Sequence, residues 1–160
     1  MSIEVIEADL TNDAQVVSII EIIDAYAREP AGGSEPLTEA VREKLRTDLR
    51  TVDAVLIMLA MQQNTPVGVA VCFRGYSTFY ARPLLNIHDL AVLPAHRGLG
   101  IGHALLAAVE ARARAENCCK LTLEVRDHNQ DARRLYASVG FDDGGPGQAD
   151  QVTRFLQKRL

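Results

Sequence analysis

Apolar residues recur along this chain with two different periods, and the switches between them mark out its elements. Ile3 to Ala8 alternates apolar and charged residues and predicts a first strand. Asn12-Asp13 has N-cap chemistry, and from Ala14 to Arg28 the positions Val16, Val17, Ile19, Ile20, Ile22 and Ile23 keep the spacing of a helix with one buried face. Pro30, Gly32, Gly33 and Pro36 break that pattern. Thr38 is the candidate cap of a second helix through Leu49, with Val41, Leu45 and Leu49 on one stripe. The period then changes. Ala54 to Met61 is a continuous apolar run of strand length, Asn64-Thr65-Pro66 is turn chemistry, and Val67 to Phe73 is rich in β-formers, so this region predicts a hairpin.

Arg74 to Pro83, RGYSTFYARP, reads as an irregular aromatic connection. Leu84 to Leu93 is the next strand, ended by Pro94. A glycine-rich turn leads into a helix from Gly100 to Glu116, followed by a strand from Lys120 to Val125. A short helix spans Asp131 to Ser138, and Gly140 sits where a C-cap belongs. Phe141 and Val152 to Gln157 read as final strands around a Gly-Pro-rich loop. The order βααβββαβαββ is best buried as one mixed central sheet flanked by helices on both faces, an α/β fold. At 160 residues, residues 1–160 form a single domain large enough for a core without staples.

Composition narrows the function by exclusion. The formal net charge of −4 gives no basic footprint for nucleic acid. The longest apolar runs are too short to span a bilayer, and MSIEVIEADL lacks the basic n-region and apolar core of a signal peptide. A cytoplasmic protein with neither a nucleic-acid nor a membrane partner is expected. Cys72, Cys118 and Cys119 make neither a disulfide framework nor a zinc pattern. The four histidines lack metal-binding spacing, so no metal is expected.

The chemistry concentrates in HRGLGIGHALL, His96 to Leu106, where Gly98, Gly100 and Gly102 occupy alternate positions at a strand-to-helix junction. A helix N-terminus offers unpaired N–H groups and partial positive charge. Glycines let an anion reach those amides, and Arg97 adds a cation, so the stretch reads as a phosphate or pyrophosphate cradle. The alternative is a tight strand–helix crossing that needs small residues. GxxxxGK[ST] is absent, and GxGxxG fails in both frames, with His103 or Leu105 at the third glycine. Arg-x-x-Gly-x-Gly fits, at Arg97, Gly100 and Gly102.

With that motif the sequence resembles the GNAT family of N-acetyltransferases. NIHDLAVLPAHRGLGIGHALL, Asn86 to Leu106, is similar to the family's strand–turn–helix segment. LEVRDHNQDARRLYASVGF, Leu123 to Phe141, is similar to the following strand and helix, including the LYxxxGF ending. The resemblance implies acetyl-coenzyme A as co-substrate. It implies that the amides of Gly98, Leu99, Gly100, Ile101, Gly102 and His103, with Arg97, hold the pyrophosphate. It further implies that Leu90, Ala91 and Val92 pair with the pantetheine arm like an added strand, that the Val92 N–H polarises the thioester carbonyl, that Asn129 contacts the pantetheine region, and that Arg133 touches the nucleotide side.

Acetyl transfer to an amine requires a base for the amine, donors for the developing oxyanion and a proton for the departing thiolate. By resemblance, Tyr136 is the general acid. Where many relatives carry Glu-Asp, this chain has His88-Asp89. Imidazole titrates near neutrality, so His88 is the candidate for a water-relayed base, the alternative being a hydrogen-bonded, half-buried histidine. Strand alternation puts His88 and Asp89 on opposite faces unless a bulge intervenes, and the resemblance implies one near Leu90–Val92. Cys72 as a nucleophile has no histidine placed beside it by sequence.

Tyr76 to Val92 is similar to the diamine/thialysine acetyltransferase subgroup, which favours a small primary amine. The ending LEVRxxNxxAxxLYxxxGF is similar to the ribosomal-protein N-terminal acetyltransferases. Ala25 to Leu37, Tyr76 to Tyr80 and 142–150 are expected at the acceptor end, where Glu29, Glu35, Asp142 and Asp143 would attract a cation. Three functions follow: a small-amine N-acetyltransferase, a protein N-terminal or lysine acetyltransferase, and a non-catalytic acetyl-coenzyme A sensor. Many relatives are homodimers, which makes a homodimer the expectation.

Overall fold

A computed structural model describes residues 2–142 and 156–159. In chain order its elements are β1 (Ile3–Glu7), α1 (Asp13–Ala27), α2 (Glu39–Asp48), β2 (Val55–Gln62), β3 (Thr65–Ser77), β4 (Arg82–Val92), α3 (Ile101–Ala115), β5 (Leu121–Leu123) and α4 (Gln130–Ser138). The strands form one sheet in the order β1-β2-β3-β4-β5. The first four pair antiparallel, and β5 joins β4 in parallel. The mixed sheet expected from the pattern is therefore present.

Alternation in the central strands feeds two cores. Leu56, Met58 and Ala60 of β2 face one side and pack with Ile101, Leu105, Leu106 and Val109 of α3. Ile57 and Leu59 face the other and pack with Ile19 and Ile22 of α1. Burying side chains of this size contributes about 1.5–3 kcal/mol each. Asn12 caps α1, accepting from the amides of Ala14 and Gln15, and Thr38 caps α2 through the Val41 amide. Val41 itself is 43% exposed, so the α2 stripe meets the core only at Leu45 and Leu49.

The β2–β3 hairpin turns at Gln63-Asn64, both at positive φ (50° and 64°), one residue earlier than the proline suggested. RGYSTFYARP is not an irregular connection. β3 continues to Ser77, with Arg74 to Ser77 paired against Leu85 to Arg82, and only 78–81 turns. The strand holds there because Arg74 is anchored from outside the hairpin, its Nε and Nη2 donating to Glu116 at 2.9 and 2.8 Å. β5 is shorter than Lys120–Val125. Phe141, Leu156 and Gln157 lie in no strand, and the rest of the expected final strands, 152–155, falls outside the described residues.

One irregularity shapes the site. The β3–β4 register runs Val71↔Asp89 and then Cys72↔Ile87, so His88 is the extra residue of a β-bulge. The expected bulge exists but lies upstream of Leu90–Val92. It reverses the inside–outside pattern of β4. Leu85 and Ile87 face α3 before the bulge; Leu90 and Val92 do so after it, leaving Ala91 on the α1 side. β5 pairs with β4 only at Leu85–Ile87 and separates where the bulge begins.

Candidate active site

The separation of β4 from β5 opens a cleft of about 640 Å³. One wall is the end of β4, with Leu90, Ala91 and Val92. Leu93 N–H bonds back to Val67 O at 2.9 Å. Because successive backbone groups alternate, the N–H and C=O of Leu90 and Val92 point away from β3. The Val92 carbonyl on that free side accepts from Arg97 Nε at 2.9 Å. Among the described residues no strand pairs with this stretch of β4 on the side away from β3, so apart from the Val92 carbonyl held by Arg97 its edge faces the cleft as a place for an extended chain.

The floor is the turn into α3, with Arg97, Gly98, Gly100, Ile101, Gly102 and His103. Gly98 and Gly100 lie at φ +75° and +80°, a region that side chains with a Cβ avoid, and a Cβ on either would meet nothing within 4 Å. Backbone conformation is what those two glycines serve. Gly102 differs: its Cβ would come within 2.8 Å of Leu135 Cδ2 on α4. The triplet therefore joins a left-handed turn to a close helix–helix contact, so the small-residue alternative holds for Gly102. No side chain caps α3. Its first-turn amides and the helix dipole remain directed at the cleft, which suits a diphosphate.

The far wall is α4, with Asn129, Ala132, Leu135 and Tyr136. Asn129 Oδ1 caps α4 through the Ala132 amide at 3.3 Å, a structural duty in addition to its expected role. Tyr136 packs edge-on against Phe141, with centroids 5.8 Å apart. Burial, reinforced by neighbouring Tyr26, pushes its phenol up to about 12. The proton stays on at neutral pH, as a general acid requires.

Not every expected residue joins the cleft. Leu99 is 54% exposed and off its walls. Arg133 turns to Asp127, 3.5 Å from its carbonyl and 3.9 Å from its carboxylate. His88 and Asp89 lie beside the cleft rather than in its lining. The bulge places both toward α1: His88 packs edge-on against Phe73 (5.5 Å), and Asp89 follows the parity of Ala91. His88 is exposed, not half-buried as the alternative reading had it. Burial raises the half-buried Asp89 carboxyl above the ordinary carboxylate range, and the His88 charge opposes that rise. Cys72 is fully buried and pushed up to about 12 by burial, which leaves it a protonated core thiol.

Sequence reasoning missed His96 and Leu135 on the cleft walls, and covered Tyr26 only within the acceptor-end segment Ala25 to Leu37, without singling it out. Tyr26 was detectable, since it continues the Ile19, Ile22, Ile23 stripe at the same helical spacing. Its hydroxyl donates to Ala31 O at 3.3 Å, and burial, then the charge of Asp89, raises its pKa. His96 is held through Nδ1 to Gln62 Oε1 at 2.7 Å. Among the described residues no group of three His, Cys, Asp or Glu could hold a metal, and no helix is long and apolar enough to cross a membrane.

This arrangement has relatives. Residues 18–141 match the family described as Acetyltransferase (GNAT) family. An uncharacterised N-acetyltransferase of Bacillus subtilis, YhfO, is 28% identical over 125 residues, covering 71% of this chain and 84% of the relative. Thialysine N-ε-acetyltransferase of Bos taurus is 35% identical over 77 residues, 48% of this chain and 45% of that enzyme, so the match spans less than half of the bovine protein. A crystal structure of ribosomal-protein-alanine N-acetyltransferase from Brucella melitensis biovar Abortus superposes with a TM-score of 0.73 at 17% identity, covering 98% of this chain and 100% of that one, and so shares the fold. The end of β4, the glycine turn and the half-buried Tyr136 phenol meet around one cleft, and the family match over residues 18–141 makes this protein a member of the GNAT family of N-acetyltransferases, whose co-substrate is acetyl-coenzyme A.

Proposed function

We propose that the chain transfers the acetyl group of acetyl-coenzyme A directly to a primary amine of a small molecule, with both substrates bound together. The observation that carries this is that Tyr136, the Leu90–Val92 edge and the α3 turn share one cleft. The co-substrate supplies an activated thioester. The amides of Gly98 to His103 and the Arg97 guanidinium hold its diphosphate, and the Leu90 and Val92 backbone takes the adjoining arm. The Val92 N–H, directed into the cleft, is the donor for a carbonyl oxygen that gains negative charge. Tyr136 delivers its proton to the departing sulfur. His88 and Asp89, brought to one side by the bulge, accept the amine's proton through water.

The small-amine reading draws on similarity to the bovine thialysine enzyme and on the acidic groups near the acceptor end, Glu29 and Asp89. A second reading, acetylation of a protein N-terminus, draws on the Brucella fold relative and on a 32% match over 83 residues to a Haemophilus influenzae [Ribosomal protein bS18]-alanine N-acetyltransferase. A cytoplasmic homodimer remains the expected state, tested by light scattering.

The test is acetyl-coenzyme A-dependent thiol release against polyamines, lysine and its analogues, aminoglycosides, amino sugars and N-terminal peptides. A small-amine substrate is expected, with Tyr136→Phe lowering turnover by about 10²-fold or more and leaving coenzyme A affinity within about twofold. Unchanged turnover in Tyr136→Phe would refute the acid. A peptide as the only substrate would favour the second reading. His88→Ala should lose the acidic limb of the pH–rate profile; an unaltered profile removes His88 from the relay.

A further inference from the structure

The loop after α1 and the turn before α3 are joined across the cleft by one ion pair. Arg97 Nη2 donates to Glu29 Oε1 at 2.5 Å while Arg97 Nε holds the Val92 carbonyl. Both Glu29 and Arg97 line the cleft. Glu29 is firmly mounted, because its backbone carbonyl accepts the amides of Gly32, Gly33 and Ser34. The loop behind it is pinned at its other end by Asp24, which accepts from the Leu37 amide at 2.7 Å. Glu29 thus lies on Ala25 to Leu37, the segment expected at the acceptor end, and Arg97 at the turn expected to hold the diphosphate.

The guanidinium of Arg97 has two claimants. A diphosphate at the α3 turn offers it more negative charge than a single carboxylate does. We propose that Glu29 is an exchange partner: it holds Arg97 until the diphosphate of coenzyme A takes that cation, and its released carboxylate then receives the ammonium of the acceptor amine. Cofactor binding thereby frees Glu29 to serve as a cation site for the acceptor. This rests on the acetyl-transfer reading above and adds Glu29 as a residue that positions Arg97 and selects a cationic acceptor.

The exchange makes a binding prediction that does not need turnover. Calorimetry with coenzyme A should show Glu29→Gln binding about three- to fivefold more tightly than wild type, the scale of a partly exposed ion pair that no longer has to be broken. In an Arg97→Gln background the Glu29→Gln gain should vanish. A gain that persists there would mean only that a negative charge has been removed near a polyanion, and it would overturn the exchange. Unchanged or weaker binding by Glu29→Gln would also overturn it. For the acceptor half, Glu29→Gln should raise the KM of a cationic amine about fivefold or more with kcat within about twofold. An unmoved KM would refute the acceptor role. Wild-type protein that binds no coenzyme A would instead refute the underlying functional reading.

Discussion

Two glycines two residues apart are expected to fail in opposite ways when given a methyl group. Gly100 has φ +80° and open space around its missing Cβ, so Gly100→Ala meets no clash and is penalised only by the left-handed backbone. That conformation costs an alanine about 1–2 kcal/mol, partly offset by the smaller entropy of the unfolded chain. A net loss of about 1 kcal/mol is expected, with Gly100→Asn milder because asparagine tolerates this region. Gly102 is the second residue of α3, where alanine gains part of the about 0.5–1 kcal/mol of propensity it has over glycine in a helix interior. Its new Cβ would meet Leu135 Cδ2 at 2.8 Å, the far end of a flexible side chain that can swing aside. The two effects are of similar size, so Gly102→Ala should fold within about 0.5 kcal/mol of wild type. Its damage is functional, because Leu135 is a cleft wall and the neighbour of Tyr136. Urea denaturation followed by circular dichroism separates the stabilities, and calorimetry with coenzyme A reads the cleft. Gly100→Ala should lose stability, whereas Gly102→Ala should keep it and bind coenzyme A several-fold more weakly, with Leu135→Ala restoring part of the binding in the double variant. A Gly100→Ala protein as stable as wild type would refute the backbone argument, and a Gly102→Ala protein with unaltered binding would refute the packing argument.

Two further expectations concern the frame around the site. Glu116 accepts from Arg74, and from Arg112 Nε at 2.6 Å; these bonds, against some desolvation, hold its carboxyl down to about 2 from 4.5. The associated stability is fully present above about pH 4.5 and is lost as pH falls through about 2. Discounted for solvent screening, Glu116→Gln should be less stable by about 1–2 kcal/mol at pH 7, with the gap closing as the wild type is acidified. A gap independent of pH would show that charge is not what Glu116 supplies. Asp24, 6% exposed in α1, bonds Leu37 N–H, Arg28 at 3.0 Å and Arg42 at 3.1 Å. Burial works against its ionisation, but these partners prevail and lower its pKa. Asp24→Asn should cost about 2 kcal/mol in urea denaturation and speed hydrogen exchange at Leu37; exchange unchanged at that amide would show that Asp24 does not hold the loop.

Local chemistry accounts for what was legible in the sequence. The caps at Asn12 and Thr38, the α1 stripe and the glycine turn each depend on residues within one or two turns of one another, so period and residue type suffice. Many of the residues that line the cleft were named from similarity to a family, but the physical reasons for the glycines needed coordinates, since a φ angle and a contact with Leu135 on a later helix are invisible in HRGLGIGHALL. The misread segment RGYSTFYARP shows the same limit. Its first half is a strand because Arg74 finds Glu116, 42 residues away, and because Leu85 to Arg82 return alongside it.

The bulge at His88 is the most consequential feature of this kind, because a bulge is a property of two strands and leaves no mark on either alone. One extra residue in β4 has three effects. It ends the pairing with β5 after Ile87, which opens the cleft. It carries Leu90 and Val92 onto the α3 face, so that their backbone forms the exposed edge. It also brings His88 and Asp89, which simple alternation would separate, to the α1 side, His88 against Phe73 and Asp89 within electrostatic reach of Tyr26. Removing the bulge would thus restore a regular ladder at the cost of the cleft and the carboxylate–imidazole pair together. Position 88, whatever its side chain does to protons, is where the backbone sacrifices one rung of sheet pairing to create a site.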